Sequence, residues 1–544
     1  DYKQIIGLGN NTQVDSMVII WTDRRCTVYK KPAVDSAYVI TQTGGIDMPQ
    51  QQAAATLFTL LKAPFDKHVE DDYIDYYYER NIPEMLSREG PKAATADVNG
   101  DGLEDVYIGG TKGYPGQLYL QQAGGGFVKK EEKTFLLFND LEDEAVLFFD
   151  CDQDGDMDLF VGPGGNSNPP YSREMQNRLL KNDGKGNFVL DAEAFPNNGM
   201  NTGVAVAHDF DGDGDLDLFV GGRSTPRNYG IPPSSFIYVN DGKGHFTDMA
   251  KTKNPDMAHI GMVTGAVWAD VTGDAKKELI IVGQWMAPRI FSYNVDRFVE
   301  IKTALSELYG WWQTVKAADI NGDGKTDLVL GNVGENFYLH PDPQNPVKLW
   351  INDFNSNGSE DKILSRTYNK RDVPVFLKNE MQEEIPSIKK GNLKHKEYAK
   401  KSIQDLFPKE FLDKSLVQQF NYASSIVAIN DGKGNFTVQK LPWQAQLSIV
   451  NAILCTDIDH DGAVDLVLGG NRSGYPPQFG KLDASYGDVL MNDGKGAFTC
   501  LTSRQTGLMV PGEVRDIALL PGKNRRHILF LRNNDYPVLY GLNK

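Results

Sequence analysis

Residues 209–222 read Asp-Phe-Asp-Gly-Asp-Gly-Asp-Leu-Asp-Leu-Phe-Val-Gly-Gly, an acidic turn that runs directly into an apolar strand. The pattern Asp-x-Asp/Asn-x-Asp-Gly-x-x-Asp recurs along the chain of 544 residues. Further clear copies begin at Asp97, Asp150, Asp319 and Asp457, and weaker copies begin at Asp270 and Asp353. Self-similarity with a period of about 50 residues is typical of propellers and other repeat folds, so one small structural unit is repeated.

A second motif, Asn-Asp-Gly-Lys-Gly-x-Phe, follows four of these copies and begins at Asn182, Asn240, Asn430 and Asn492. Asn-Asp-Gly favours the positive φ angles of a tight β-hairpin, and apolar strands flank the motif on both sides. Each unit therefore reads as strand, Asp loop, strand, Gly-Gly loop, strand, hairpin and strand, which is a four-stranded antiparallel sheet. The sequence predicts an all-β fold in which residues 91–544 form a seven-bladed β-propeller.

Two stretches depart from the regular repeat. Blade five contains the Asp353 copy and resumes at Ser424. The sequence between these points, Arg366–Phe420, is rich in Lys, Glu, Leu and Gln at helical spacing, so we predict a helical insertion in blade five. The tail Val514–Tyr540 has strand-like runs but no Asp loop, and it is predicted to be a degenerate seventh blade.

The N-terminal region differs from the repeats. Residues 1–45 are predicted to form a small separate β-unit, and residues 46–90 a connector with a helix at Gln50–Lys62. Because the chain opens at Asp1 without a methionine, we interpret it as processed or partial, and the missing signal peptide says nothing about export.

Composition excludes several classes of protein. A formal net charge of −17 argues against a nucleic-acid-binding protein, which needs a basic surface. No apolar run approaches the roughly 18 residues that span a bilayer. The four cysteines show neither a disulfide framework nor a metal-binding spacing.

The Asp loops have the composition of a calcium site. Calcium prefers about six to eight oxygen ligands, and Asp or Asn at positions 1, 3, 5 and 9 supplies them from one short turn, with Gly at position 6 allowing the bend. We predict about five to seven structural Ca²⁺ sites of this kind. Their side-chain ligands would be Asp97, Asn99, Asp101 and Asp105; Asp150, Asp152, Asp154 and Asp158; Asp209, Asp211, Asp213 and Asp217; Asp319, Asn321, Asp323 and Asp327; Asp353, Asn355, Asn357 and Asp361; and Asp457, Asp459, Asp461 and Asp465. Asp270 begins a degenerate copy with Ala275 in place of the turn glycine, and the occupancy of the copies at Asp270 and Asp353 is left open.

No motif indicates catalysis. The chain has no HExxH, no GxSxG and no GxGxxG after a strand, and the partial match Gly324-Lys325-Thr326 fails as a phosphate loop because Asp319 replaces its first glycine. We therefore predict a protein that is not an enzyme. A pair of carboxylates of the glycosidase or lyase type stays open as an alternative.

The propeller topology places the Asp loops and hairpins on one face and the Gly-Gly loops on the other. Aromatic and arginine side chains in the latter loops suggest a surface for a glycan or a protein. The candidate residues are Tyr171, Arg223, Arg227, Tyr229, Trp311, Trp312, Trp443 and Tyr475. The alternatives are that these loops only pack against one another, or that the propeller is a structural spacer.

Lysines cluster inside the insertion, against the acidic character of the whole chain. They are Lys378, Lys389, Lys390, Lys394, Lys396, Lys400 and Lys401. This cluster is either the solvated face of a helix or a surface for an acidic partner or for the N-terminal unit.

The repeats resemble FG-GAP/VCBS repeats, as in propellers of the integrin-α type. The opening Gly-Leu-Gly-Asn-Asn-Thr-Gln-Val-Asp-Ser-Met-Val-Ile-Ile-Trp resembles the ASPIC/UnbV domain through Gly7, Leu8, Gly9, Val14, Asp15 and Trp21. That family continues Trp-Pro-Asp-Gly, whereas this chain has Trp21-Thr22-Asp23-Arg24. The order of ASPIC/UnbV domain, connector and propeller is similar to large surface lipoproteins of Bacteroidota.

This resemblance implies a location on the extracellular face of the outer membrane, with a lipid anchor on an absent N-terminal part. It also implies a binding or scaffold role for a protein partner or a glycan, with a SusC/SusD-like transport complex as one partner. A carbohydrate-active enzyme on a propeller scaffold is the alternative, because a fold does not fix a function.

Overall fold

The computed structural model of this chain describes residues 4–23, 25–42, 44–47, 55–522 and 525–543. The chain divides into two compact units, Asp1–Ala55 and Thr56–Lys544. The strands of the first unit are β1 (Ser16–Ile20), β2 (Arg25–Lys30) and β3 (Ile46–Asp47). They form an antiparallel sheet in the order β1–β2–β3.

The second unit begins with β4 (Phe58–Leu61) and continues into four-stranded antiparallel sheets, of which the first four are called sheets I to IV. Their strands follow chain order across each sheet. Sheet I contains β5 (Ala93–Ala96), β6 (Asp105–Ile108), β7 (Gln117–Gln121) and β8 (Phe127–Lys130). Sheet II contains β9 (Asp143–Phe149), β10 (Asp158–Pro163), β11 (Arg178–Asn182) and β12 (Phe188–Asp191). Sheet III contains β13 (Asn201–His208), β14 (Asp217–Ser224), β15 (Phe236–Asn240) and β16 (Phe246–Asp248). Sheet IV contains β17 (Met262–Ala269), β18 (Glu278–Met286), β19 (Arg289–Asn294) and β20 (Arg297–Ile301), with β21 (Gly310–Trp311) paired to β18.

Sheet V is interrupted after its first two strands, β22 (Thr314–Ala318) and β23 (Asp327–Gly331). The interruption contains a four-stranded sheet in the order β26–β25–β24–β27 and five short helices. Its strands are β24 (Val347–Asn352), β25 (Asp361–Tyr368), β26 (Arg371–Pro374) and β27 (Leu416–Phe420). Sheet V resumes with β28 (Ile426–Asn430) and β29 (Phe436–Lys440), so the prediction that blade five resumes near Ser424 is confirmed.

The prediction of a purely helical insertion at Arg366–Phe420 is wrong in two respects. Strands β25, β26 and β27 lie within or across this range, and the insertion begins earlier, ahead of β24. The Asp353 turn imitates the repeat, so its flanking strands looked like strands of blade five. They pair instead with β26 and β27, because β23 takes β28 as its neighbour.

Two further sheets complete the second unit. Sheet VI contains β30 (Val450–Thr456), β31 (Asp465–Gly470), β32 (Asp488–Asn492) and β33 (Phe498–Cys500). Sheet VII contains β34 (Val514–Leu520), β35 (His527–Arg532), β36 (Val538–Leu542) and, as its fourth strand, β4.

The α-helices are α1 (Lys133–Leu136), α2 (Ala250–Lys253), α3 (Pro255–Ala258), α4 (Lys378–Glu384), α5 (Ser387–Gly391), α6 (His395–Tyr398), α7 (Ile403–Leu406), α8 (Lys409–Leu412) and α9 (Ser503–Thr506). Short 3-10 helices lie at Asp75–Tyr77, Arg173–Met175, Ala304–Glu307, Trp443–Gln446 and Pro477–Phe479.

The position of β4 corrects the prediction of a helix at Gln50–Lys62. Residues 50–54 lie outside the described residues, and the described remainder contains a strand. Phe58 pairs with Leu542 and is 1% exposed, because its ring packs in the core between sheets VI and VII. Tertiary burial here outweighs local propensity.

The first strands of sheets I to VII contact one another in cyclic order. Strand β5 contacts β9, the contacts continue around through the other first strands, and β34 returns to β5. Apolar layers fill the gaps between neighbouring sheets, as Val106, Tyr119 and Leu529 do between sheets I and VII. The second strands are apolar on both faces because both faces are covered. The fold is therefore all-β and propeller-like.

Candidate functional site

Each Asp loop joins the first strand of a sheet to the second and is organised around its first carboxylate. In the loop after β13, Asp209 accepts hydrogen bonds from the backbone N–H of Gly212 at 2.7 Å and of Gly214 at 3.1 Å. The residue at position 6 has a positive φ in every copy, for example 102° at Gly214. Glycine adopts this conformation without strain, whereas Ala275 holds it at 68° in the degenerate loop.

The carboxylate at position 9 connects the loop to the hairpin of the same sheet. Asp217 is fully buried and accepts from the backbone N–H of Phe210 at 3.3 Å and of Asn240 at 3.0 Å. Asp158, Asp327 and Asp465 accept the corresponding pair of hydrogen bonds in their sheets. All five clear loops therefore use one architecture, in which the loop and the third strand of the sheet share a buried carboxylate; in sheet I, Asp105 accepts from the backbone N–H of Val98 and of Gln121.

Three of the loops gather three carboxylates whose oxygens lie within 4.8 Å of one another. The groups are Asp150, Asp152 and Asp154; Asp209, Asp211 and Asp217; and Asp457, Asp459 and Asp465. The loops at Asp97 and Asp319 carry Asn at position 3, whose amide oxygen is also a calcium ligand. This all-oxygen donor set from one turn fits a hard divalent cation such as calcium.

Burial disfavours the ionised form of the carboxylates at position 9. Burial and then the neighbouring Asp211 raise the pKa of Asp217 to about 7. Burial, with the charges of Asp101 and Asp97, raises the pKa of Asp105 to about 6. A bound divalent ion would reverse this effect, because it favours the ionised carboxylates.

The two weak loops keep the turn but lose donors. In the Asp353 loop, the side-chain amide of Asn355 donates to Asp361 at 2.9 Å, so these two groups satisfy each other. In the Asp270 loop, the hydroxyl of Thr272 donates to Glu278 at 3.2 Å. Both loops therefore offer a cation fewer free oxygens than the loops rich in aspartate.

The hairpin asparagines join neighbouring sheets, a role that sequence reasoning missed. Asn240 in sheet III donates from its side-chain amide to the carbonyl of Cys151, at position 2 of the Asp loop in sheet II, at 2.8 Å. Asn182, Asn430 and Asn492 make equivalent bonds of 2.8, 2.9 and 2.7 Å to Val98, Val271 and Ile320. The prediction that Asp loops and hairpins share a face is confirmed by these bonds.

The Asp loops and hairpins lie at one end of the sheets. At the other end, residues of the connector cover the central space that the first strands surround. Glu84 and Glu89 are buried there, and Glu89 accepts from Arg472 at 2.9 Å and from Arg223 at 3.0 Å. Arg472 also pairs with Glu84. Burial disfavours the Glu89 anion, but the two guanidinium groups hold its pKa well below the usual range.

A cavity of about 30 Å³ lies next to Glu89, Arg223 and Arg472. Its lining includes Lys92, Glu144, Thr264, Asn451 and Arg515, which come from the starts of different first strands. Burial and the adjacent Glu89 raise the pKa of Glu144 well above its usual range. A space of this volume holds one or two water molecules and excludes a sugar ring.

Family models match the N-terminal segment and the repeats between residues 97 and 350. A model described as FG-GAP-like repeat matches residues 97–161, 150–220, 209–281 and 270–330, and one described as FG-GAP repeat matches residues 311–350. The model described as ASPIC and UnbV matches residues 1–47. This chain contains FG-GAP repeats preceded by an ASPIC/UnbV segment. No curated protein matches the chain significantly.

Several solved structures are distantly similar to this FG-GAP protein. The V. cholerae biofilm matrix protein Bap1 is 11% identical over 90% of this chain and 92% of its own, with a TM-score of 0.38. The structure of YCF48 bound to D1 peptide is 8% identical over 88% and 98%, with a TM-score of 0.41. Rhamnogalacturonan lyase PL11 of Bacillus licheniformis is 12% identical over 90% and 75%, with a TM-score of 0.37.

Most of the aromatic residues predicted on the open face of the FG-GAP sheets are buried. Trp311 and Trp312 are fully buried, and Tyr229, Arg223 and Tyr475 are at most 4% exposed. The expectation that they form an exposed surface is wrong. The reason is that the insertion and the connector lie over this face, and Tyr229, Trp311 and Tyr475 belong to their shared core.

Three of the predicted residues are exposed: Tyr171, Arg227 and Trp443. Arg227 lies over the ring of Tyr78, with 4.7 Å between the guanidinium carbon and the ring centroid. It also donates to the carbonyl of Ser167 at 2.7 Å, in the loop that carries Tyr171. Trp443, at 67% exposed, starts a 3-10 helix between sheets V and VI.

The connector of the FG-GAP chain adds tyrosines that sequence reasoning did not select. Tyr77 and Tyr78 are 76% and 57% exposed, and the ring of Tyr78 stacks on that of Tyr73 at a centroid distance of 4.8 Å. The run Tyr76-Tyr77-Tyr78 was the signal that could have identified them. We call Tyr77, Tyr78, Tyr171 and Arg227 the tyrosine patch. Separately, no described helix is both long enough and apolar enough to cross a membrane.

Proposed function

We propose that this chain is a seven-bladed propeller, stabilised by calcium, that acts as a non-catalytic binding module at the cell surface. The seven blades would be sheets I to VII, whose first strands contact one another in a closed cycle. The four-stranded FG-GAP repeats support a binding role in general. A structural rather than catalytic metal is supported by the donors, because one tight loop provides them and leaves few coordination positions open.

The observation that carries the binding role is the tyrosine patch. Tyrosine and arginine are enriched where proteins bind partners, since they combine a large apolar surface with hydrogen-bonding groups. The ring of Tyr78 stacks on that of Tyr73 and contacts the guanidinium group of Arg227, so its orientation is fixed before any ligand arrives. Preorganisation of this kind lowers the entropic cost of binding. The ligand would be a surface protein or a glycan.

A carbohydrate-active enzyme is the less favoured alternative. It would need two carboxylates across a pocket that admits a sugar. Glu89 and Glu144 are adjacent carboxyl groups at a cavity, but that cavity of about 30 Å³ lies under the connector and both residues are buried. The geometry favours a binding module over this alternative.

We extend the proposal to the location and partners. The order of ASPIC/UnbV segment and FG-GAP repeats supports display on the outer face of the outer membrane, near a SusC/SusD-like transport complex. The net charge of −17 supports partners other than nucleic acid.

The test compares capture by the intact protein and by the variant Tyr77→Ala/Tyr78→Ala. Both would be cross-linked to native outer membranes and also applied to a glycan array, in the presence of calcium. Loss of a specific protein or glycan in the variant, with an unchanged melting temperature, is the expected result. The matched control is Tyr368→Ala, because Tyr368 is also an exposed tyrosine at 66% but belongs to the insertion. Equal capture by all three proteins would contradict a binding role for the patch.

A further inference from the structure

The segment 389–396 reads Lys-Lys-Gly-Asn-Leu-Lys-His-Lys and runs from the end of α5, through residues 392–394, into the start of α6; we call it the basic loop. From residue 387 to residue 401 the chain carries six lysines and one glutamate. This composition is opposite to that of the whole protein, whose formal net charge is −17. Lys389, Lys390, Lys394 and Lys396 are all exposed.

The basic loop is held in place from both sides. Ile388 and Tyr398 are 4% and 7% exposed, and they belong to the core shared by the insertion and the connector. The hydroxyl of Tyr398 donates to the carbonyl of Phe376 at 2.9 Å. The loop therefore presents a fixed surface.

In the basic loop a polar side chain, Asn392, is buried and an apolar side chain, Leu393, is exposed. Asn392 is only 2% exposed, and its side-chain amide donates to the carbonyl of Ile388 at 2.8 Å. Its neighbour Leu393 is 80% exposed. Apolar side chains are usually covered and amides usually solvated. Here the backbone turns a leucine outward, between two pairs of lysines in the sequence.

The lysines of the loop are not neutralised by the protein itself. Nearby ion pairs, Arg371 with Asp405 and Lys409 with Asp413, involve other residues. In the part of the chain that the structure describes, no ion pair joins Lys389, Lys390, Lys394 or Lys396 to a carboxylate. Their charges are therefore available to an external anion.

We propose that the basic loop docks on an anionic lipid surface, with Leu393 entering the headgroup layer and the lysines contacting lipid phosphates. Lysines on a polar face beside an exposed leucine are the combination that binds membrane interfaces. Each lysine near an anionic bilayer adds to the attraction. A soluble polyanion would explain the lysines but would leave Leu393 without a partner. This inference does not depend on the tyrosine patch or on its ligand.

The test is co-sedimentation of the full chain with vesicles at constant calcium. Vesicles of phosphatidylcholine alone would be compared with vesicles containing about one third phosphatidylglycerol. We expect binding to the anionic vesicles only, and a strong reduction on raising the salt from about 0.05 M to about 0.5 M.

Two variants separate the contributions of charge and of the leucine. Lys389→Gln/Lys390→Gln/Lys394→Gln/Lys396→Gln should weaken vesicle partitioning by at least about tenfold. Leu393→Ser should weaken it by roughly three- to tenfold without changing the salt dependence. The matched control removes four exposed lysines from the hairpins, at Lys185, Lys243, Lys433 and Lys495.

Four outcomes would overturn the proposal. The first is that the protein does not bind anionic vesicles. The second is that it binds neutral and anionic vesicles equally. The third is that the hairpin control loses as much vesicle binding as the variant without the four loop lysines. The fourth is retention of binding in Leu393→Ser together with equal affinity for a soluble polyanion such as dextran sulfate, which would identify a soluble polyanion as the partner. Circular dichroism confirms that each variant is folded.

Discussion

The side-chain amide of Asn240 donates a hydrogen bond of 2.8 Å to the main-chain carbonyl of Cys151 and thereby ties sheet III to sheet II. The same amide reaches the carbonyl of Leu216 at 3.1 Å, and its oxygen accepts from the N–H of Gly244 at 3.1 Å. One side chain thus satisfies three backbone groups from two sheets.

Replacing Asn240 with alanine should destabilise the protein by about 1–3 kcal/mol, because buried backbone groups lose their partners. Denaturant unfolding measures this change. Asn435→Ala is the matched control: Asn435 lies in the hairpin of sheet V, is exposed, and its side-chain amide donates only to Asp431 at 2.9 Å. The cross-sheet role is contradicted if both variants lose the same stability.

Removing calcium should lower the melting temperature by several degrees or more. Each site filled at a hundredfold excess over its Kd contributes about 2.7 kcal/mol to the native state. Differential scanning calorimetry with EDTA, and again after calcium is restored, measures the shift. An unchanged melting curve, with loss of metal verified by elemental analysis, would rule out structural calcium.

The weak loops should fill after the aspartate-rich loops. At low calcium, native mass spectrometry should show one fewer bound ion in Asp211→Ala, whereas Asp274→Ala should leave the count unchanged. The reason is that Thr272 and Glu278 bond to each other in the Asp270 loop. Loss of one ion from both variants would contradict this ranking.

Arg472, the buried arginine that pairs with Glu84 and Glu89 of the connector, should be essential for stability. Arg472→Leu leaves the carboxylates of Glu84 and Glu89 in the interior with one partner fewer, which should cost about 3–5 kcal/mol in unfolding free energy. Lys409→Ala is the surface comparison, since the pair of Lys409 with Asp413 is exposed on both sides, and its effect should stay within about 0.5 kcal/mol. If Arg472→Leu is as mild as that control, the connector is not held by this network.

His68 should make stability depend on pH. Burial, and then the charge of Arg515, lower the pKa of His68 to about 3, and its Nδ1 accepts from the N–H of Asn534 at 3.1 Å. The native state therefore holds a neutral imidazole. Its stabilising contribution is present above the unfolded pKa of about 6.5 and is lost as the pH falls below that value.

Between pH 7.5 and pH 5.5 the loss from His68 should be about 1.4 kcal/mol. The difference in unfolding free energy between the parent and His68→Asn isolates this contribution, because asparagine keeps an acceptor but does not titrate. A difference that is independent of pH would contradict the assignment.

The repeated part of the fold was predictable because its determinants are local. Residues 209–222 and the hairpin at Asn240 specify a turn, a strand and a second turn from their own sequence. Residues 58–61 were not predictable as a strand, because their partner β36 lies at the far end of the chain. The Asp353 turn misled the placement of the insertion for the same reason, since pairing with β27 is a long-range choice.

The candidate site was predictable in its acidic residues and not in its aromatic ones. An Asp loop carries its donors in one segment, so Asp209 and Asp217 meet without help from the rest of the fold. Whether Trp311 or Tyr171 is exposed depends on what covers the face, and the covering connector has no repeat to identify it. Glu84 and Glu89 gave no local indication that they would be buried.

The pairing of β4 with β36 has a consequence for biosynthesis. Residues 58–61 leave the ribosome long before their neighbouring strand β36, which lies hundreds of residues further along the chain and ends at Leu542. At about 5–20 residues per second, the nascent chain waits tens of seconds with β4 unpaired. A product that stops before Val538 leaves β35 as an open edge strand, which favours aggregation. Only a chain synthesised through β36 covers that edge, so a chain truncated before this strand keeps it exposed.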